Sequence, residues 1–368
     1  MNIGFHSPTA QLKNWLSRLA AATLKELFAI QVISAVLVSV LLSDLAGFDY
    51  PGWAALSSYA VMNNSVKAST VRAFNRVTGT VLGGVLALLL STYLVQDSTF
   101  LVLFCAVVGG VAVWQADISR WSYSWVLGAV TSMMVMAEAQ KNSEFRYLLR
   151  FTFNRIEEVV LGCAVCIVVT LLFYPLNRRR QVAPPHQESH PEPAHRQLLP
   201  LQAGVTLLLV TPILLVFQLT GFWQAMVSVL AVFILPASTQ PVQQQIDQRM
   251  QQRLYGCMAA TLLSLILLPF MHHYPPVYIA ILVAGLWLGC HLQQGKPSIS
   301  YFGRQFTVAW IIVFIQDTLW LAEPIQAVMR CASILIAIIF IGIVMVVFRS
   351  LKLKSEFSGS HTLNKFHC

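Results

Sequence analysis

The chain has 368 residues, 57% of them apolar and only 11% charged, with a formal net charge of +9 and a mean hydropathy of +0.66. That is too much apolar surface for a water-soluble core, so lipid must be the solvent, and at roughly 20 residues per span the length admits about a dozen crossings and little else. The positive charge falls in short segments between apolar runs instead of clustering on one face, which is the positive-inside pattern and excludes nucleic acid as a partner.

At the N-terminus, PTAQLKNWLSRLAAA places Leu12, Trp15, Leu16 and Leu19 at helical spacing, with Lys13 and Arg18 on the other face. This reads as an interfacial helix on the cytoplasmic surface, with a disordered tail as the alternative. No cleavable leader is expected, because the first apolar run begins near residue 24 and is itself long enough to span.

The apolar runs predict spans near 24–46, 52–63, 74–95, 98–115, 121–138, 154–175, 200–219, 222–236, 249–270, 275–291, 303–321 and 325–348. The second and eighth are short for a hydrocarbon core of about 30 Å, so each is expected to be tilted, broken or partly re-entrant. With the N-terminus inside, nineteen of the 24 Lys and Arg residues fall on the cytoplasmic side. The other five are Lys141, Arg146, Arg150, Arg155 and Arg330, so both termini are expected to be cytoplasmic. The outer cluster, partly balanced by Glu138, Glu144, Glu157 and Glu158, predicts a second interfacial helix at 139–151.

Residues 177–199, NRRRQVAPPHQESHPEPAHRQLL, have no apolar periodicity and read as a flexible cytoplasmic linker. His186, His190 and His195 lie in this Pro-rich tract, which favours a solvated linker over a metal site. All seven cysteines read as free thiols, including the Cys163/Cys166 pair, which sits in an apolar span without redox or zinc-site context.

An internal repeat organises the chain. Arg72, Arg76 and Gly79 in VRAFNRVTGTVLGG recur as Arg249, Arg253 and Gly256 in QRMQQRLYGCMAAT, each 177 positions on. Trp53 with Trp223, Tyr123 with Tyr301 and Arg155 with Arg330 stand at nearby offsets. Six helices per half is an even number, so the halves are parallel repeats related by an axis along the membrane normal. The expected fold is therefore an all-α integral membrane protein of about twelve transmembrane helices in two six-helix repeats. Residues 1–176 form the first repeat with the N-terminal interfacial helix, 177–199 the linker, and 200–368 the second repeat with a basic tail.

The Arg-xxx-Arg-xx-Gly spacing puts three residues on one helix face, and Gly79, Gly83 and Gly84 then let another helix come close. Arg72 and Arg249 fit snorkelling interface anchors, whereas Arg76 and Arg253 lie just inside apolar runs. Arg155 and Arg330 open the last span of each half, toward the opposite side. Charge inside a span is costly, so these four arginines are candidates for an electropositive, anion-binding path; anchoring or internal ion pairing is the alternative. Glu157 and Glu158 beside Arg155 have Ala332 and Ser333 as counterparts, which makes one of them a candidate proton carrier, or else a salt-bridge partner of Arg155. Trp53 and Trp223 open the two short spans, as interface-belt residues or as an aromatic wall for a ring-bearing substrate. Gln31 and Gln202 recur in the opening spans as helix-bridging amides.

No enzymatic signature stands out. There is no GxxxxGK[ST] phosphate loop, no metal-ligand spacing and no cofactor motif, and the adjacent His272 and His273 cannot share a helix face.

The segments YPGWAALSSYAV (50–61), RAFNRVTGTVLGGVLALLL (72–90) and NRIEEVVLGCAVCIVVTLLFYP (154–175), with a weaker echo in GFWQAMVSVLAV and QQRLYGCMAATLLSLIL, resemble the fusaric-acid-resistance and aromatic acid exporter family. The resemblance covers the first half nearly end to end. It implies a proton-driven exporter of aromatic carboxylic acids or related toxic compounds in the inner membrane of a Gram-negative bacterium, in some members working with a periplasmic adaptor protein. Larger members carry a long cytosolic domain between the halves, where this chain has only the 177–199 linker. The plant malate channels are similar in their six-helix unit and work as dimers with arginines near the pore. That likeness supports Arg76, Arg155, Arg253 and Arg330 as an anion path and supplies the rival mechanism. Secondary active efflux of small organic anions is therefore expected, with a passive anion channel or a non-transporting membrane scaffold as the alternatives.

Overall fold

A computed structural model describes residues 8–94, 97–177, 196–217, 222–236, 240–270, 274–316 and 323–363. Among the described residues there is no strand. The helices are α1 (Pro8–Leu45), α2 (Pro51–Val61), α3 (Val66–Leu94), α4 (Ser98–Ile118), α5 (Ser122–Lys141), α6 (Phe145–Leu172), the single turn α7 (Tyr174–Asn177), α8 (Leu199–Val216), α9 (Phe222–Phe233), α10 (Val242–Leu267), α11 (Pro275–Gln293), α12 (Pro297–Phe314) and α13 (Pro324–Leu363). Each predicted apolar run coincides with one of these helices other than α7.

Seven of them, α1, α3, α4, α8, α10, α11 and α13, are long and apolar enough to cross a membrane. The protein is thus an all-α, multi-pass membrane protein. The short second and eighth runs are helices of 11 and 12 residues, α2 and α9. The last 18 residues of α6 hold Arg155, Glu157 and Glu158, which sets that helix apart from the apolar seven.

Two expectations about segment ends change. The stretch 139–151 is no separate interfacial helix: α5 runs to Lys141 and α6 already begins at Phe145. The N-terminal segment is helical from Pro8 without a break into α1. The linker histidines, His272 and His273, and Cys368 lie outside the described residues.

Helix starts follow local chemistry. Proline occupies the first turn of α2, α8, α11 and α12, where its missing N–H costs nothing. The carboxylate of Asp97 accepts from the Thr99 N–H at 2.8 Å to cap α4. That bond holds the Asp97 carboxyl below its usual pKa. The cap is therefore fully formed at neutral pH and is lost as the pH falls through the lowered value. Buried hydroxyls turn back onto their own helices, as when Thr206 and Thr211 donate to the carbonyls of Gln202 and Leu207.

The helices form two compact units. The first comprises α1, α2, the part of α6 from Val160, the part of α10 from Tyr255, α11 and α12. Within it α1 packs on α2 and α11, while α12 packs on α11 and α2. The second comprises α3 from Val71, α4, α5, α6 to Val159, α8, α9, α10 to Leu254 and α13. Within it α8 packs on α9 and α4, α5 packs on α4 and α9, and α13 packs on α8 and α9.

Small residues set the closest approaches, as expected where lipid removes the hydrophobic drive between helices. In the second unit, a Cβ added to Gly79 would strike the Ser124 carbonyl and come within 3.0 Å of Leu127 Cβ, and one on Gly83 would strike the Gly128 carbonyl. A Cβ on Gly84 would lie 2.7 Å from Thr152 Cγ2. So α3 is pressed against α5 on one side and α6 on the other. In the first unit, Gly256 meets the Phe302 carbonyl at 2.7 Å and Gln305 Cβ at 3.0 Å in the same terms.

Gly83→Val is expected to cost about 1–3 kcal/mol through overpacking, seen as an earlier thermal unfolding transition in detergent. Gly342→Ala, where the one neighbour within 4 Å is Met250 Cε at 3.9 Å, should match or exceed the parent. Equal effects at the two positions would contradict the close α3–α5 contact.

Candidate functional site

The α3–α5–α6 junction in the second unit gathers charge where it is expensive. Arg76 is the eleventh residue of α3 and Arg155 the eleventh of α6. Both are buried, at 5% and 3% exposure. Arg76 Nη1 donates to the Tyr123 hydroxyl of α5 at 2.9 Å. Beside it, Ser124 Oγ donates to the Asn75 carbonyl oxygen at 2.9 Å, tying α5 to α3 a second time. Gly79 and Gly83 make this possible: only with the two backbones in contact can Tyr123 reach Arg76.

The guanidinium of Arg155 feels the like charge of Arg76 and the opposite charge of Glu158. Glu158 is fully buried, while Glu157 is exposed. Helix geometry explains the difference, since Glu158 is three residues from Arg155 and shares its face, whereas position i+2 points away. Two guanidiniums within electrostatic reach of one another in a low-dielectric medium repel, and an anion between them is attracted to both. A planar fork at each end suits a carboxylate.

Arg253 on α10 and Arg330 on α13 are also buried, in the same unit. The structure therefore brings Arg76, Arg155 and Glu158 together, and leaves Glu157 on another face. Trp223 is half-buried at the start of α9 in this unit, and Trp53 is half-buried in α2 of the other. Gln31 and Gln202 are both buried.

Arg72 is exposed, in keeping with a surface anchor. Its counterpart Arg249 is half-buried, and its Nη1 donates to the Ala231 and Ile234 carbonyls at 2.9 and 2.5 Å, closing the C-terminal end of the short helix α9. Similarly, Arg196 pairs with Asp117 at 2.7 Å and donates to the Pro236 carbonyl at 3.0 Å. The described cysteines are free thiols, and no group of metal-ligating side chains occurs among the described residues.

A groove of about 550 Å³ runs along the second unit between α3 and α4, floored by α5. Phe74, Trp121 and Trp125 line it, with Phe74 and Trp121 ring centroids 5.9 Å apart. Its lining is otherwise aliphatic, apart from small hydroxyls such as Thr78 and Ser132. Sequence reading did not find this groove. The signal was the i,i+4 spacing of Phe74, Thr78, Leu82 and Leu86, matched by Trp121 and Trp125.

Fold and site define a multi-pass helical membrane protein with buried, clustered arginines. Residues 37–169 match the family model described as fusaric acid resistance protein-like, in keeping with the resemblance drawn from the motifs of this half. The chain is 27% identical over 166 residues to the p-hydroxybenzoic acid efflux pump subunit AaeB of Edwardsiella tarda, covering 42% of this chain. It is 28% identical to the protein of that name from Edwardsiella ictaluri and 25% to that from Enterobacter cloacae, over the same lengths. The match spans 25% of the length of each of these relatives. No solved structure matches the chain.

Tyr123→Phe should cost about 1.5–3 kcal/mol, the usual value of a hydrogen bond to a charged group. Glu158→Gln should cost about 3–5 kcal/mol by leaving the Arg155 charge buried without it, while Glu157→Gln should stay within about 0.5 kcal/mol of the parent. Thermal or denaturant unfolding in detergent measures all three, and equal losses at Glu157 and Glu158 would remove the distinction between them.

Proposed function

We propose that the protein exports small organic anions, aromatic carboxylic acids among them, across the bacterial inner membrane by secondary active transport. The observation that carries this reading is the pair of buried guanidiniums, Arg76 and Arg155, within electrostatic reach of each other, with the Glu158 carboxyl within reach of Arg155. The relatives' description as p-hydroxybenzoic acid efflux pump subunits supports an aromatic carboxylate as cargo. The word subunit supports a further protein partner, for which a periplasmic adaptor is the candidate.

In this mechanism Arg76 and Arg155, with Arg253 and Arg330 as their counterparts in the second repeat, draw the carboxylate out of water into the protein. Trp223, at the start of α9 in the same unit as these arginines, contacts the ring. Glu158 exchanges its proton as the anion arrives: bound anion compensates the arginine charge, weakens the hold of Arg155 on the carboxylate, and so favours protonation there. Glu157, exposed on another face, is the weaker coupling candidate.

Two parallel repeats, 1–176 and 200–368, joined by the linker 177–199, fit the recurrence of contacts. Gly79 meets Ser124 and Leu127, and Gly256 meets Phe302 and Gln305, the same positions 177 or 178 residues on. The packing of α8 on α9 and α4 likewise has its counterpart in α1 on α2 and α11. Some twelve crossings with both termini cytoplasmic follow from this arrangement and from the distribution of basic residues.

The test is uptake of labelled p-hydroxybenzoate and of an aliphatic carboxylate into proteoliposomes with and without an imposed pH gradient. Gradient-driven accumulation is expected, reduced at least tenfold in Arg155→Ala, with Glu158→Gln retaining downhill flux but not accumulation. Downhill flux indifferent to pH in the parent would instead mean an anion channel. Undiminished accumulation in a folded Arg76→Ala, Arg155→Ala double variant would remove the arginine path.

A further inference from the structure

The groove between α3 and α4 has no part in the anion path, and its shape and chemistry indicate an occupant of a different kind. We infer that it holds an acyl chain of an anionic phospholipid, whose phosphate is met by Arg120 at the α4–α5 turn.

Its walls are side chains turned outward from the protein: Phe74, Leu82 and Val107 are each more than half exposed. On a membrane-spanning unit, outward means toward lipid. No charged side chain lines the groove, so a carboxylate or phosphate has no partner along its length. From Phe74 to Leu86 it follows twelve residues of α3, about 18 Å at 1.5 Å per residue. That is close to the depth of one leaflet, half of a hydrocarbon core of about 30 Å. A small aromatic acid would fill a fraction of this length, whereas a lipid chain fills it.

One end of the groove is marked as the water interface. There α4 stops at Ile118 and α5 starts at Ser122, and the turn between them presents Arg120 and Trp121. The Arg120 Cζ lies 5.5 Å from the Trp121 ring centroid, and Trp121 stands against Phe74 in the groove wall. Tryptophan at the headgroup level and an exposed arginine beside it supply the two things an anionic lipid needs at that depth. The planar guanidinium can grip a phosphate through two hydrogen bonds, and stacking on the indole limits the freedom lost when it does so. The nearby carboxylate of Asp117, which would repel a phosphate, is paired with Arg196 at 2.7 Å.

Native mass spectrometry of the full chain, equilibrated with phosphatidylglycerol and phosphatidylcholine in equal amounts, tests this. One phosphatidylglycerol per chain should be retained at least tenfold over phosphatidylcholine. Arg120→Ala should bring the two lipids to near parity, Arg120→Lys should restore part of the preference, and Val111→Trp, which fills the groove, should abolish retention of either. Arg120 is exposed, so its variants should fold even where Val111→Trp does not. Retention of phosphatidylglycerol that ignores Arg120 would overturn the inference. So would its displacement by p-hydroxybenzoate, which would make the groove a substrate site, or its loss whenever two chains associate, which would make the occupant a second copy.

Discussion

The contact between α3 and α5 at Gly79, Gly83 and Gly128 is the constraint on which the candidate site depends. In hydrocarbon, helices gain little from hiding apolar side chains, because lipid tails are equally apolar; what holds them together is close packing and the polar bonds that close packing allows. With glycine at the crossing, the two backbones touch, and residues flanking the crossing are brought within hydrogen-bond reach: Tyr123 of Arg76, and Ser124 of Asn75. A larger residue at Gly83 would push α5 away and take Tyr123 out of reach of the buried Arg76 guanidinium, and losing a hydrogen bond to a charged group costs about 1.5–3 kcal/mol. The glycines and the arginine thus form one device: the close approach the glycines permit is what gives Arg76 its Tyr123 hydrogen bond.

The other side of α3 repeats the principle with a different outcome. Gly84 admits Thr152 of α6, and that contact sets Arg155, with Glu158 beside it, at the level where Arg76 can act on Arg155. An arginine within electrostatic reach of both a second arginine and a carboxyl makes an arrangement whose energy depends strongly on what else is bound. A purely structural ion pair would be served by one arginine and one carboxylate; the second arginine adds repulsion that an anion relieves. This is the physical ground for reading the junction as a ligand path instead of an anchor, and it rests on the position of Arg76 as much as on that of Arg155.

Much of this was legible in the sequence, and the reasons it was legible are local. Apolar runs of span length have few alternatives in a chain this poor in charge, so every predicted run is a helix. The Arg76-to-Gly79 spacing names one helix face without any knowledge of what that face meets. What the sequence could not supply was the partner across each contact. Glu157 and Glu158 are adjacent in the chain and equivalent by composition alone; the helix phase of α6 turns one inward and the other out. Arg72 and Arg249 occupy matching positions and read alike, yet Arg249 closes the end of α9 through two backbone carbonyls while Arg72 is exposed. The groove escaped notice because its walls come from three helices whose stripes, taken singly, look like ordinary lipid-facing surface.

The composition of the two compact units bears on how such a chain is built. Neither unit is a half of the sequence. In the first, α1 and α2 from the beginning of the chain pack on α11 and α12 from its end; in the second, α8 and α9 pack on α4 and α5. Under the repeat reading, these are the same arrangement with the halves exchanged, so each six-helix repeat gives its first two helices to one unit and its fourth and fifth to the other. A repeat by itself would then leave the α1–α2 pair without α11 and the α4–α5 pair without α8, exposing the small-residue seams, such as Gly110 against Pro200 and Gly204 against Ala106, that need a partner backbone about 3 Å from where a Cβ would stand. Two repeats joined in one chain, or two copies of a single repeat, are the ways to complete both seams, and joining them frees each to diverge. Under the same reading, that freedom allows Glu158 to have Ser333 as its counterpart while an arginine stands at both Arg155 and Arg330.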